Sequence, residues 1–246
     1  MKLRENALRK ATPKVIMAPT PFAGPGCESA LSLSGPGGYP WKRDVTTTVF
    51  WVGELATEHN PVSNDQSAWD SQWSSSYGGY DTPDSSARRN FVPTSFSPRQ
   101  NPFYVALPYN DVDDHHTKPE AAKVIPWFKN AFVRDGQSVC KGRWIAIRHG
   151  NKVCYAQWED VGPFHTNDWK YVFGNGSPQP NRNQDAGLDV SPAIRDYLGL
   201  GGMDVCNWKF VDYPYVPPGP WAMHGDNHSL AGLRGKSPTS LASRTQ

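Results

Sequence analysis

No apolar run in this chain approaches the 18 residues that a membrane-spanning helix requires, so no transmembrane helix is predicted. Charge of one sign is also lacking. Lys and Arg number 25 against 23 Asp and Glu, a net of +2, which removes any broad electrostatic case for nucleic acid or acidic membrane. Cysteines are few. Cys27, Cys140, Cys154 and Cys206 form no Cys-x-x-Cys pair and no spacing typical of zinc; they allow three complete disulfide pairings, and the sequence does not choose among them. No Gly-x-Ser-x-Gly, phosphate-binding loop or His-Glu-x-x-His occurs, which leaves serine-hydrolase, nucleotide and zinc-protease readings without support. At the N-terminus, Lys2, Arg4, Arg9, Lys10 and Lys14 precede a weak apolar patch, Val15–Ala18. Pro19 and Pro21 interrupt it, and it is too short for the core of a signal peptide.

Turn formers and aromatics are what the chain has in quantity. Its 23 prolines and 22 glycines in 246 residues indicate many turns and short elements, and hence an all-β fold. Among ten tryptophans, Trp144, Trp158 and Trp208 sit in strand-like runs and are expected in the core. Trp69, Trp73 and Trp169 lie in polar, loop-like stretches, where an indole face suits the C–H face of a sugar.

Residues 1–43 read as a flexible, basic, Pro/Gly-rich arm, 44–215 as one barrel domain with a long insertion loop at 54–100, and 216–246 as a flexible tail. Strands are expected at Val45–Val52, Phe103–Leu107, Arg143–Arg148, Lys152–Glu159, Gly187–Val190 and Val205–Asp212. A tight turn at Gly150-Asn151 joins the third to the fourth, facing Ile147 against Cys154. A short helix is plausible over Lys118–Val124. Another begins at Ser191-Pro192, with Ser191 as N-cap, Pro192 in the first helical position and Gly199 past the end.

The segment Trp158-Glu159-Asp160-Val161-Gly162-Pro163-Phe164, followed by Leu188-Asp189-Val190-Ser191-Pro192-Ala193 and Tyr197-Leu198-Gly199, resembles the second half of the barrel in rare lipoprotein A, a family related to expansins and barwin. The resemblance implies a six-stranded double-psi β-barrel with short helices and long loops. It also implies export to the cell envelope or beyond, and a polysaccharide partner, peptidoglycan or a β-glucan, lying in a groove; a monomer without cofactor or metal is expected. It is specific over 143–211 and faint over 45–107. The stretch 165–187 is longer than the family pattern, and the glutamate and histidine of some peptidoglycan-cleaving members have no clear counterpart. Asp81, after Gly78-Gly79-Tyr80, is a loose match to their aspartate.

By that resemblance Asp189 is the general acid, or the single acid/base of a lytic reaction, and Asp160 its turn-making neighbour. Cleavage of a glycosidic bond generally uses two carboxyl groups, so Glu54 and Asp111 are candidates for a second carboxylate. Trp69, Trp73, Tyr104 and Trp169 are the candidate substrate-binding aromatics. One physical objection stands: Asp189 precedes a helix N-terminus, whose dipole favours the charged carboxylate, whereas an acid needs the opposite shift. Burial or the like charge of Asp160 would have to prevail. Structural roles compete for both residues: Asp160 could accept N–H groups of the Gly162–Phe164 turn, and Asp189 could organise the helix entry. Asp113-Asp114-His115-His116 reads as a solvated loop, since four adjacent ligands converge poorly on one ion. The sequence therefore leaves three readings: a polysaccharide-cleaving enzyme, an expansin-like binding or loosening module, and a barrel that binds a partner and has no sugar groove.

Overall fold

The computed structural model describes residues 38–57 and 63–224. Six strands close into a mixed barrel: β1 (Lys42–Val49), β2 (Tyr104–Leu107), β3 (Arg143–His149), β4 (Lys152–Val161), β5 (Leu188–Val190) and β6 (Met203–Phe210). Around the barrel the order is β1-β6-β3-β4-β2-β5, returning to β1. The pairs β1–β5 and β2–β4 are parallel; the other four are antiparallel. Ile147 faces Cys154 across the β3–β4 hairpin, the register expected from the Gly150-Asn151 turn.

Alternation decides what each strand buries. In β6, Cys206, Trp208 and Phe210 point inward, and their neighbours are more exposed. β2 is different, buried along its whole length because it is covered on both sides. Val105 and Leu107 enter the main core with Ile145, Ile147, Trp158 and Val190. Tyr104 and Ala106 enter a smaller core with Phe50, Val52, Trp73 and Tyr77, made by the insertion after β1. Trp144, Trp158 and Trp208 are all buried. The indole N–H of Trp208 donates to the Tyr171 hydroxyl at 2.7 Å, and that hydroxyl donates to the Gly187 carbonyl at 3.1 Å, so two buried polar tips are satisfied.

The long insertion is a packed lid of its own. Helix α1 (Trp73–Tyr77) supplies the two aromatics, and Asp81 anchors the segment on its C-terminal side. The hydroxyls of Tyr77 and Tyr104 donate to Asp81 at 3.2 and 2.9 Å, and Arg88 pairs with it, all out of solvent. Further on come α2 (Ala121–Val124), α3 (Phe128–Ala131), α4 (Trp169–Val172) and α5 (Pro192–Leu198). Ser191 caps α5, accepting from the Ile194 N–H at 3.4 Å, and Gly199 closes it at φ 76°.

Two expected boundaries move. The first strand begins at Lys42, and Tyr39 already packs edge-on against Trp127 and Phe210, so 38–43 belong to the folded unit; the rest of the expected arm lies outside the described residues. The expected tail begins with a docked segment, because Trp221 is buried among Phe103, Tyr155 and Tyr197. Residues 225–246 lie outside the described residues. Cys140, Cys154 and Cys206 are buried free thiols, which excludes every complete pairing of the four; Cys27 lies outside the described residues. Among the described residues no helix is long and apolar enough to cross a membrane.

Candidate functional site

Asp160 near the end of β4 and Asp189 in the middle of β5 both pair with one residue, Ala106 of β2. Their backbones therefore stand two strand spacings apart, about 10 Å. Because both are in register with Ala106, they share its face of the sheet, the face turned away from the main core and toward the insertion. Asp189 leans inward over that strand. A Cβ added to Gly162, at the end of β4, would stand 3.5 Å from Asp189 Oδ2 and 3.8 Å from the Ala106 methyl. Gly162 has φ 159°, so the chain turns there without a side chain to fill the space beside the carboxyl.

Each carboxyl has a defined partner. The Thr48 hydroxyl of β1 donates to Asp189 Oδ1, and the backbone N–H of Ala68 donates to Asp160 Oδ1 at 2.8 Å. Asp160 does not serve the Gly162–Phe164 turn as its structural reading supposed. That turn is held by backbone bonds from Gly162 to Leu107 and from His165 to Pro163, while the Asp160 side chain crosses to the insertion. Burial pushes the Asp160 carboxyl up to about 7, opposed by the N–H groups of Ala68 and Val161 and assisted by the charge of Asp189. Burial likewise pushes Asp189 up to about 6 against the Thr48 bond. Burial thus leaves Asp189 above the ordinary carboxylate range, although it lies just before α5.

The other expected residues are dispersed. Asp111 is fully buried and occupied: Ser138 Oγ donates to one oxygen at 2.6 Å and the Val139 N–H to the other at 2.7 Å, which makes it the organiser of a loop and not a groove carboxylate. Glu54 accepts from Asn64 Nδ2 at 3.3 Å, closing the base of the insertion. Asp81 is consumed by Tyr77, Tyr104 and Arg88. Trp73 and Tyr104 are each 1% exposed, so neither offers a ring face to a ligand; both fill the small core. Trp169 packs against the main core. Asp113–His116 form a small hairpin whose turn residues Asp114 and His115 take positive φ, with His116 paired to Asp135 at 2.7 Å in the open. Among the described residues no group of three or more His, Cys, Asp or Glu is placed to hold a metal.

Of the expected aromatics, Trp69 borders a cleft. The cleft, of about 710 Å3, is walled by the 66–71 turn, the 134–142 loop and, at its floor, Glu159. Glu159 is a residue that the sequence did not single out. Along β2, Val105 pairs with Trp158 and Ala106 with Asp160, so Glu159 is the extra residue of a β-bulge. The bulge sends consecutive acids to different places, Asp160 beneath Ala68 and Glu159 into the cleft beside Lys141 and Asp70. Burial pushes the Glu159 carboxyl up to about 7, with Lys141 opposing and the charges of Asp70 and Asp160 adding. A bulge is a register property of two strands, and no local sequence signal announces it. Comparison with known proteins adds no name: no family model matches the chain, and no curated protein resembles it significantly.

Proposed function

We propose that this chain is a double-psi β-barrel of the rare lipoprotein A, expansin and barwin type, exported, that cleaves a cell-wall polysaccharide at Asp189 and Asp160. Two parallel couplings within an otherwise antiparallel six-stranded barrel support the double-psi assignment. The observation that carries the activity is the pairing of two carboxyls about one small residue, Ala106, both raised by burial toward neutral pH. Carboxyls raised in this way keep their protons into mildly acidic pH, which acid-assisted glycosidic cleavage requires. Asp189, half-buried and protonated below about pH 6, gives its proton to the glycosidic oxygen as the C–O bond breaks. The resulting carboxylate takes a proton from the attacking group, either water or, in a lytic reaction, a hydroxyl of the substrate's own sugar. Asp160, held by Ala68, is the electrostatic neighbour that keeps a proton on the pair.

The test is release of reducing ends or anhydro-sugars from purified peptidoglycan and β-glucan. Wild type is expected to release them and Asp189→Asn to release none while keeping its fold by circular dichroism. Full activity in Asp189→Asn overturns the assignment. Binding without release from either polymer favours an expansin-like module, and failure to pellet with any insoluble polysaccharide favours a partner-binding barrel.

A further inference from the structure

The cleft floored by Glu159 points to a more specific ligand. We infer that it is a subsite for a carboxylate-bearing sugar unit, so that the polymer is an acidic saccharide and not a neutral glucan. Only the choice of a saccharide ligand and the link to cleavage rest on the function proposed above; the site itself is visible in its own residues.

At about 710 Å3 the cleft falls in the range of small-ligand sites, large enough for one or two sugar rings. Trp69 gives it a fixed aromatic wall. Its indole N–H donates to Asn110 Oδ1 at 2.7 Å, and its ring is braced edge-on by Trp158 with centroids 5.5 Å apart, so the ring orientation costs little to hold when a pyranose stacks on it. Opposite charges line the remainder unequally. Lys141 and Arg134 contribute two cations; Asp70 contributes one anion, and its contact with Lys141 Nζ is loose at 3.6 Å with the lysine a third exposed. Glu159, buried and raised toward neutrality, serves a hydroxyl or amide as donor or acceptor. A neutral sugar brings no counter-charge to Lys141 beyond its loose contact with Asp70, and none to Arg134, whose Nε donates to Gln137 Oε1 at 3.3 Å. A ring carboxylate instead gains charge-assisted hydrogen bonds from Lys141, with Arg134 adding attraction.

The position suits a subsite. Ala68, whose N–H holds Asp160, also lines this cleft, so a single turn of the insertion separates the bound unit from the aspartate pair.

The experiment measures binding by calorimetry of soluble, peptide-free peptidoglycan glycan strands, whose muramic acid carries a carboxylate, and of oligogalacturonate, each before and after reduction of its carboxyls to alcohols. Wild type is expected to bind at least one carboxylate form ten-fold or more tighter than its reduced counterpart. Lys141→Gln should erase most of that difference, and Trp69→Ala should weaken both forms alike. Equal binding of native and reduced polymers, no binding of any of them, or an undiminished difference in Lys141→Gln overturns the inference. Cleavage is scored separately on the same samples: a retained preference without bond breakage keeps the subsite and removes the enzymatic reading, and cleavage of neutral glucan without the preference does the reverse.

Discussion

The backbone N–H of Ala68 donates to Asp160 Oδ1 at 2.8 Å, joining residues 92 positions apart. The insertion after β1 thus reaches the acid pair as well as covering the barrel, and it helps place a carboxyl in surroundings that resist its ionisation.

The first expectation is a stability that rises as pH falls. Asp160 and Glu159 are raised to about 7 and Asp189 to about 6, whereas unfolded carboxyls titrate near 4. A raised carboxyl binds its proton more tightly when folded, so stability is lost as pH climbs from about 4 to about 7 and is constant above. Each such group contributes up to about 1.4 kcal/mol per pH unit within its window. Below pH 4 the trend reverses, because Asp204 and Asp135 are held low by their partners. Calorimetric melting temperatures should increase from pH 8 to about 4.5; a flat or falling series would refute this.

A second expectation concerns the lid. Arg88 and Asp81 form an ion pair with almost no solvent contact, so Arg88→Met strands a buried carboxyl and should cost about 3–5 kcal/mol. Urea unfolding should show the double change Arg88→Met/Asp81→Asn recovering much of that loss. Equal destabilisation of the single and double variants would show that the pair itself contributes little.

The thiols supply a third. Burial pushes the Cys206 thiol up to about 11 and holds those of Cys140 and Cys154 well above the usual range. In a Cys27→Ser background, native protein should not react with a thiol-disulfide reagent at pH 8, and three thiols should react in denaturant. Rapid reaction of the native protein would contradict the buried positions.

Shortening the chain is the fourth. Ending it after Val216 removes Trp221 from its place against Phe103, Tyr155 and Tyr197, and should destabilise by about 3–5 kcal/mol. Trp221→Ala in the full chain should reproduce most of the effect in the same urea titration.

The barrel's later strands were legible because their signals are local. Apolar runs bracket Gly150-Asn151, and Ser191-Pro192 and Gly199 mark both ends of a helix. The lid was not legible, since Trp73 is buried against Tyr104, 31 positions away, and looks exposed when read with its own polar neighbours. Asp111 failed for a related reason: its two donors lie in a loop 27 and 28 residues away. The aspartates flanking Ala106 were found through a motif, and Glu159 was missed because a bulge is decided between strands.

The barrel's closure also sets an order of events during synthesis. Among the described strands β1 pairs with β5 and β6 alone, so the first of them to leave the ribosome has both its partners among the last. Until about residue 210 has emerged, β1 presents two bare edges, and among the barrel strands only the hairpin of β3 and β4 can form early from sequence neighbours. Such a chain folds late and all at once, and its nascent form is exposed to edge-to-edge association in proportion to the time spent waiting. A circular permutant that places β5 and β6 ahead of β1 would shorten that wait while keeping the strand order of the finished barrel.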